Sequence, residues 1–77
     1  MLEIKKHRRP CTFFIRYDKS RGYPARLLKY LAEETIVIFA NKDQSLTVVL
    51  KWGSDNKRVT DYLINNFNGK VVEEWNV

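Results

Sequence analysis

One cysteine, one histidine, three glycines and two prolines are all that this 77-residue chain holds of the residue types that most often signal chemistry or covalent scaffolding. A single cysteine, Cys11, allows neither an intrachain disulfide nor a cysteine metal cluster. Small secreted domains usually depend on such staples, so the chain reads as intracellular and cytoplasmic. Met1-Leu2-Glu3-Ile4 runs straight into charge, without the apolar stretch of a secretory signal. The longest apolar run, Ile36 to Ala40, is far short of the ~20 residues that a membrane span needs, and no membrane partner is expected. Arg8 and Arg9 would favour a thiolate at Cys11, yet a small hydrophobe opening a strand is the simpler expectation, which would bury it. His7, set in a charged segment, is expected to be solvated. No His/Cys spacing supplies a metal site and the glycines form no phosphate loop, so no cofactor is expected. Ser20, Ser45 and Ser54 have no visible base, and the chain reads as non-catalytic. One acid, Asp18, follows a strand directly, where some metal-dependent nucleases carry one; a turn residue is the plainer role.

What the chain does have is charge, unevenly spread. Residues 1–30 carry nine Lys and Arg against two acids, a net +7, and residues 31–77 carry five against seven, a net −2. A basic half beside a mildly acidic one suits a polyanion or an acidic protein surface as partner. Ten aromatic residues and three β-branched clusters give the chain the means to hold a core, which argues against disorder.

The hydrophobic pattern lays out one α+β domain over residues 1–77. Glu3 to Pro10 is charge-dense and ends in a proline, and reads as a basic N-terminal arm or an edge strand, with residues 1–10 set apart from the rest. Cys11 to Tyr17 fits a strand, and Asp18 to Gly22 a loop. Pro24 suits the first turn of a helix, and Leu27, Leu28 and Leu31 follow it at helical spacing up to an end near Glu34. Thr35 to Ala40 and Leu46 to Trp52 read as strands joined by the polar loop Asn41 to Ser45. Ser54 or Asp55 is placed to cap a second helix, with Val59, Tyr62, Leu63 and Phe67 on one face and Gly69 as its terminator. Lys70 to Trp75 closes the chain as a strand.

Setting the basic arm aside, the order βαββαβ predicts a ferredoxin-like plan: a four-stranded antiparallel sheet with both helices on one face. A small barrel without the first helix is the rival, disfavoured by the leucine stripe. Alternation along the central strands sends Phe13, Ile15, Tyr17, Leu46, Val48, Leu50 and Trp52 toward the helices. Phe14, Arg16, Val49 and Lys51 fall on the open face, where Trp75 or its neighbours can join them.

A ring to stack on, flanked by cations, is the physical recipe for holding single-stranded nucleic acid on a sheet. The plan resembles that of RNA-recognition domains in architecture, although residues 45–52 lack the glycine–aromatic signature of that family. The expected contact residues are Lys5, Lys6, Arg8, Arg9, Arg16, Lys19, Arg21, Arg26, Lys29 and Lys51 for phosphate, gathered into one patch, and Phe14 for stacking. Arg26 and Lys29 share one helix face. The leading expectation is therefore RNA or DNA binding. The alternative is a protein-docking regulator or inhibitor, of the kind made by phages and mobile elements, seated on an acidic surface of a larger partner. The apolar strand 35–40 also needs cover, which suggests a homodimer.

Overall fold

The computed structural model describes residues 2–17, 22–51 and 55–75. Five strands and two helices follow in the order β1 (Leu2–Lys6), β2 (Thr12–Arg16), α1 (Ala25–Glu34), β3 (Thr35–Ala40), β4 (Leu46–Leu50), α2 (Asn56–Phe67) and β5 (Gly69–Val72). They form one mixed sheet in the order β3-β4-β2-β1-β5. All pairings are antiparallel except β1 with β5, which is parallel.

The chain is α+β with two helices, as expected, but the four-stranded antiparallel sheet anticipated from the sequence is not what forms. Instead residues 2–6 enter between β2 and β5, so the sheet has five strands and is mixed. The segment taken for a basic arm or edge strand is thus interior. Its alternation explains why: Leu2 and Ile4, 0% and 3% exposed, point into the core, while Glu3 and Lys5 point the other way. The density of charge concealed a strand of period two. Pro10 lies in the β1–β2 turn, where its missing N–H costs no ladder bond.

The core is the set that alternation sends toward the helices. Phe13 and Ile15 pair with Val48 and Leu46, and Ile4 pairs with Ile15. Leu27 and Leu31 of α1 and Val59 and Leu63 of α2 close over them, all four fully buried. Leu28, by contrast, is exposed. Tyr17 and Phe67 pack at the margin.

The ends of the helices have local causes. Pro24 stands at the N-cap of α1, one position earlier than the first helical turn. Thr35 stops α1 by turning extended and bonding its hydroxyl to the Leu31 carbonyl at 2.7 Å. Asp55 caps α2, accepting from the Lys57 N–H at 2.8 Å. At its other end Asn68, not Gly69, takes the left-handed backbone, with φ 59°. Gly69 is needed for a different reason: a Cβ there would sit 2.9 Å from the Leu63 carbonyl oxygen. Trp52, Ser54 and the 18–21 stretch of the first loop lie outside the described residues.

Candidate functional site

The face of the sheet away from the helices carries Glu3 and Lys5 of β1, Phe14 and Arg16 of β2, and Thr47 and Val49 of β4. Phe14 and Val49 are half-buried. Trp75, beyond the end of β5, folds back over this face. The Arg16 guanidinium lies 4.9 Å from its ring centre and the Lys5 ammonium 5.1 Å. Lys5 also lies 5.6 Å from the Phe14 ring. Cation–π contacts of this kind contribute about 0.5–2 kcal/mol each, the more as water is excluded. Lys5 and Arg16 therefore fix the position of Trp75 as well as supplying charge.

Arg16 is mostly buried and ion-paired with Glu3 at 3.3 Å. Its charge is spent inside the site rather than offered to solvent. Lys5 faces the exposed Glu74 at 4.0 Å, a looser contact. Phe14, Trp75 and Lys5 then border a cleft of about 310 Å³ closed on its far side by the β3–β4 loop, with Asn41, Lys42, Asp43 and Ser45 on its lining.

That loop is rigidly built. Asp43 Oδ1 accepts from the Ser45 hydroxyl at 2.6 Å and from the Ser45 N–H at 3.0 Å, which holds its carboxyl below the usual carboxylate range. The Asn41 amide donates to Thr47 Oγ1 and Ser45 Oγ at 2.8 and 3.1 Å. The Tyr23 hydroxyl reaches the Gln44 carbonyl at 2.7 Å, tying the loop to the segment that precedes α1, and burial pushes that hydroxyl's pKa up.

The anticipated cations fall into three groups. Lys5 and Arg16 lie on the open face. Lys6, Arg8 and Arg9 belong to the β1–β2 turn and its approach, and Lys51 lies at the same end of the sheet, since the Leu50 N–H donates to the Cys11 carbonyl. Arg26 and Lys29 are exposed on α1, across the sheet, with Arg26 stacked 5.2 Å from the Phe67 ring at the far end of α2. Lys19 and Arg21 lie outside the described residues, as does Asp18.

Two expectations for the turn change. Cys11 is exposed, with φ 57°, because it completes the turn before β2 begins at Thr12. His7 is half-buried: its ring packs 4.8 Å from Phe14, and its Nδ1 accepts the Arg9 N–H at 3.0 Å. The sequence did not single out Lys42 or Lys57. Lys42 sat in a loop read only as polar, and Lys57 follows an N-cap, where a cation is unremarkable.

Among the described residues no three His, Cys, Asp or Glu side chains cluster as metal ligands, and no helix is long and apolar enough to cross a membrane. Comparison with known proteins returns no matching family, no matching curated protein and no matching solved structure, so geometry alone carries the reading of this site.

Proposed function

We propose that the chain is a non-catalytic binding protein that takes single-stranded RNA or DNA across the open sheet face, with one base seated between Phe14 and Trp75. The observation that carries this reading is the cleft those two rings border, with Lys5 and Lys42 at its edge. Its size lies at the lower end of small-molecule sites, suited to one flat ring rather than to a folded ligand. Stacking contributes ~1–3 kcal/mol per base and tolerates any base, so the site favours unpaired strands over duplexes without strong sequence preference. Lys5 and Lys42 are placed for the adjoining phosphates.

Fluorescence anisotropy with labelled single-stranded and duplex oligonucleotides tests the reading. Phe14→Ala should weaken single-strand binding by ~1–3 kcal/mol. Four phosphates neutralised along the strand imply a log–log salt slope of roughly −3. Affinity that ignores both salt and Phe14→Ala overturns the proposal.

A second reading rests on β3. This edge strand exposes Ile36 (65%), Val37 (37%) and Phe39 (57%) and contains no charge or proline over its six residues. Natural edges are usually blunted by such residues. An uncharged strand is complementary to its own antiparallel copy, so the partner it fits is a second copy of this chain. The two open faces would then lie on the same side of one continuous sheet. Sedimentation at high micromolar concentration checks this: Val37→Lys should leave a monomer, and a wild-type monomer would refute pairing. A partner protein captured by the wild type, and kept after nuclease treatment, would favour the docking regulator over nucleic acid.

A further inference from the structure

On the opposite side of the sheet, a second cleft of about 590 Å³ opens between the β1–β2 turn and the first two turns of α2. Its lining is dense in cations. Arg16 and Arg58, away from it, have carboxylates beside them, Glu3 at 3.3 Å and Glu34 at 2.6 Å. At this cleft Lys6, Arg8 and Arg9 have no ion-pair partner among the described residues, though they fall within four consecutive positions. Lys57 adds a fourth cation, with Asp61 at 2.8 Å the one carboxylate on the lining. Like charges held together raise the local potential and concentrate anions.

The turn that holds them is fixed before any ligand arrives. The Arg9 N–H donates to His7 Nδ1, the Thr12 hydroxyl donates to the Pro10 carbonyl at 3.0 Å, and the Cys11 carbonyl accepts from Leu50 at 2.8 Å. Cys11 adopts a left-handed backbone that costs a non-glycine residue free energy, so the turn's shape is imposed by its surroundings.

The floor is apolar. Ile4 and Phe13 lie beneath, and Val71 of β5 presents a side chain 48% exposed. Asn56 and Thr60 bring polar groups from α2. A bare inorganic anion would satisfy the cations and leave the floor wet. A ligand with a phosphate at one end and a flat body at the other satisfies both, and the volume is that of an ordinary small-molecule site.

We infer that this cleft binds a nucleotide phosphomonoester, with Arg8 and Arg9 on the phosphate and the base or sugar against Val71. Arginine suits this task because its planar fork meets phosphate oxygens in pairs. The phosphomonoester is either a free mononucleotide or the phosphorylated end of a strand. The inference stands apart from the open-face reading, since the sheet lies between the two clefts.

Calorimetric titration of the full chain with AMP, adenosine and inorganic phosphate tests it, alongside dA8 oligonucleotides bearing a 5′-phosphate or a 5′-hydroxyl. AMP should bind at least about tenfold more tightly than either fragment, and Arg8→Ala with Arg9→Ala should remove that advantage. Lys42→Ala, on the open-face cleft only, should leave AMP binding unchanged, which separates this cleft from the open face. A 5′-phosphate that strengthens dA8 binding through Arg8 and Arg9 assigns the cleft to strand ends; AMP binding without that gain assigns it to free nucleotide. The inference is overturned if neither AMP nor the 5′-phosphate gains from Arg8 and Arg9. Both side chains are exposed, so an unchanged circular dichroism spectrum is expected of the double variant, and the exposed Lys57→Ala gives an independent measure of the same cleft.

Discussion

The two faces of the sheet use the same alternation for opposite ends. On the covered face the alternate residues of β1, β2 and β4 are apolar and buried up to Lys6 at the end of β1: Leu2 and Ile4, Phe13 and Ile15, Leu46, Val48 and Leu50. On the open face the residues in between pair charge with ring, as Lys5 and Arg16 do with Trp75. One face holds the fold by excluding water, and the other keeps polar groups organised while still wet enough to exchange partners. The difference predicts that truncation on the covered face reads out as stability, and truncation of the more exposed groups on the open face, away from the Glu3–Arg16 pair, as recognition.

The largest effect should come from the covered face. Leu63 is fully buried between α2 and the sheet, and Leu63→Ala should cost about 2–5 kcal/mol through lost transfer energy and the cavity left behind. That is a large part of the total stability of a small domain. Urea unfolding followed by circular dichroism measures it. A loss below about 1 kcal/mol would mean the two faces are not distinct in the way the burial implies.

An intermediate effect belongs to the ion pair that crosses β1 and β2 on the open face. Glu3 and Arg16 side chains are 10% and 12% exposed, between the fully buried pairs whose rupture costs ~3–5 kcal/mol and surface pairs worth ~0–1. Glu3→Gln should cost about 2 kcal/mol and free Arg16 to leave Trp75. With Trp52 replaced by Phe so that one indole reports, the emission should shift to the red in the folded protein. A stability loss with unchanged emission would show that Lys5 alone suffices to hold the ring.

Much of this contrast was legible beforehand because it lives in local alternation. The partition of Phe13 and Ile15 from Phe14 and Arg16 follows from period two, and β3 begins and ends at the residues expected, Thr35 and Ala40. The helices were legible for the same reason, with Leu27, Leu31, Val59 and Leu63 at helical spacing. Local pattern could not say where β1 would sit. Leu2-Glu3-Ile4-Lys5-Lys6 alternates over only five residues, two of its positions are lysine, and its partners on β5 are 67 positions away in sequence, Leu2 with Gly69 to Lys5 with Val72. The distribution of cations was hidden for a related reason. Arg16 and Arg26 are both basic in the sequence, but only the topology puts one beneath Trp75 on the open face and the other on α1, beyond the sheet.

The smallest effect, and the one whose sign is most informative, concerns the helix side. Tyr30 of α1 and Tyr62 of α2 stack with ring centres 3.8 Å apart and an 11° tilt, and the buried Tyr30 hydroxyl has no hydrogen-bond partner. Loss of water is the main cause that raises its pKa; Glu34 adds to the rise and Arg58 opposes it. A tyrosine whose folded pKa lies above its unfolded value of 10.0 contributes stability that is fully present below that pH and is lost as pH rises through the folded value. Tyr30→Phe removes the unpaired hydroxyl and keeps the stacked ring, so at neutral pH stability should be unchanged or up to about 1 kcal/mol higher. Above pH 10 the variant should lose less stability than the parent, with the remaining decline owed in part to Tyr23, whose pKa is also raised by burial. Chemical denaturation at pH 7 and pH 10.5 gives both numbers. A Tyr30→Phe protein less stable than the parent at neutral pH would show that this hydroxyl has a partner in solution, most plainly the nearby Arg58.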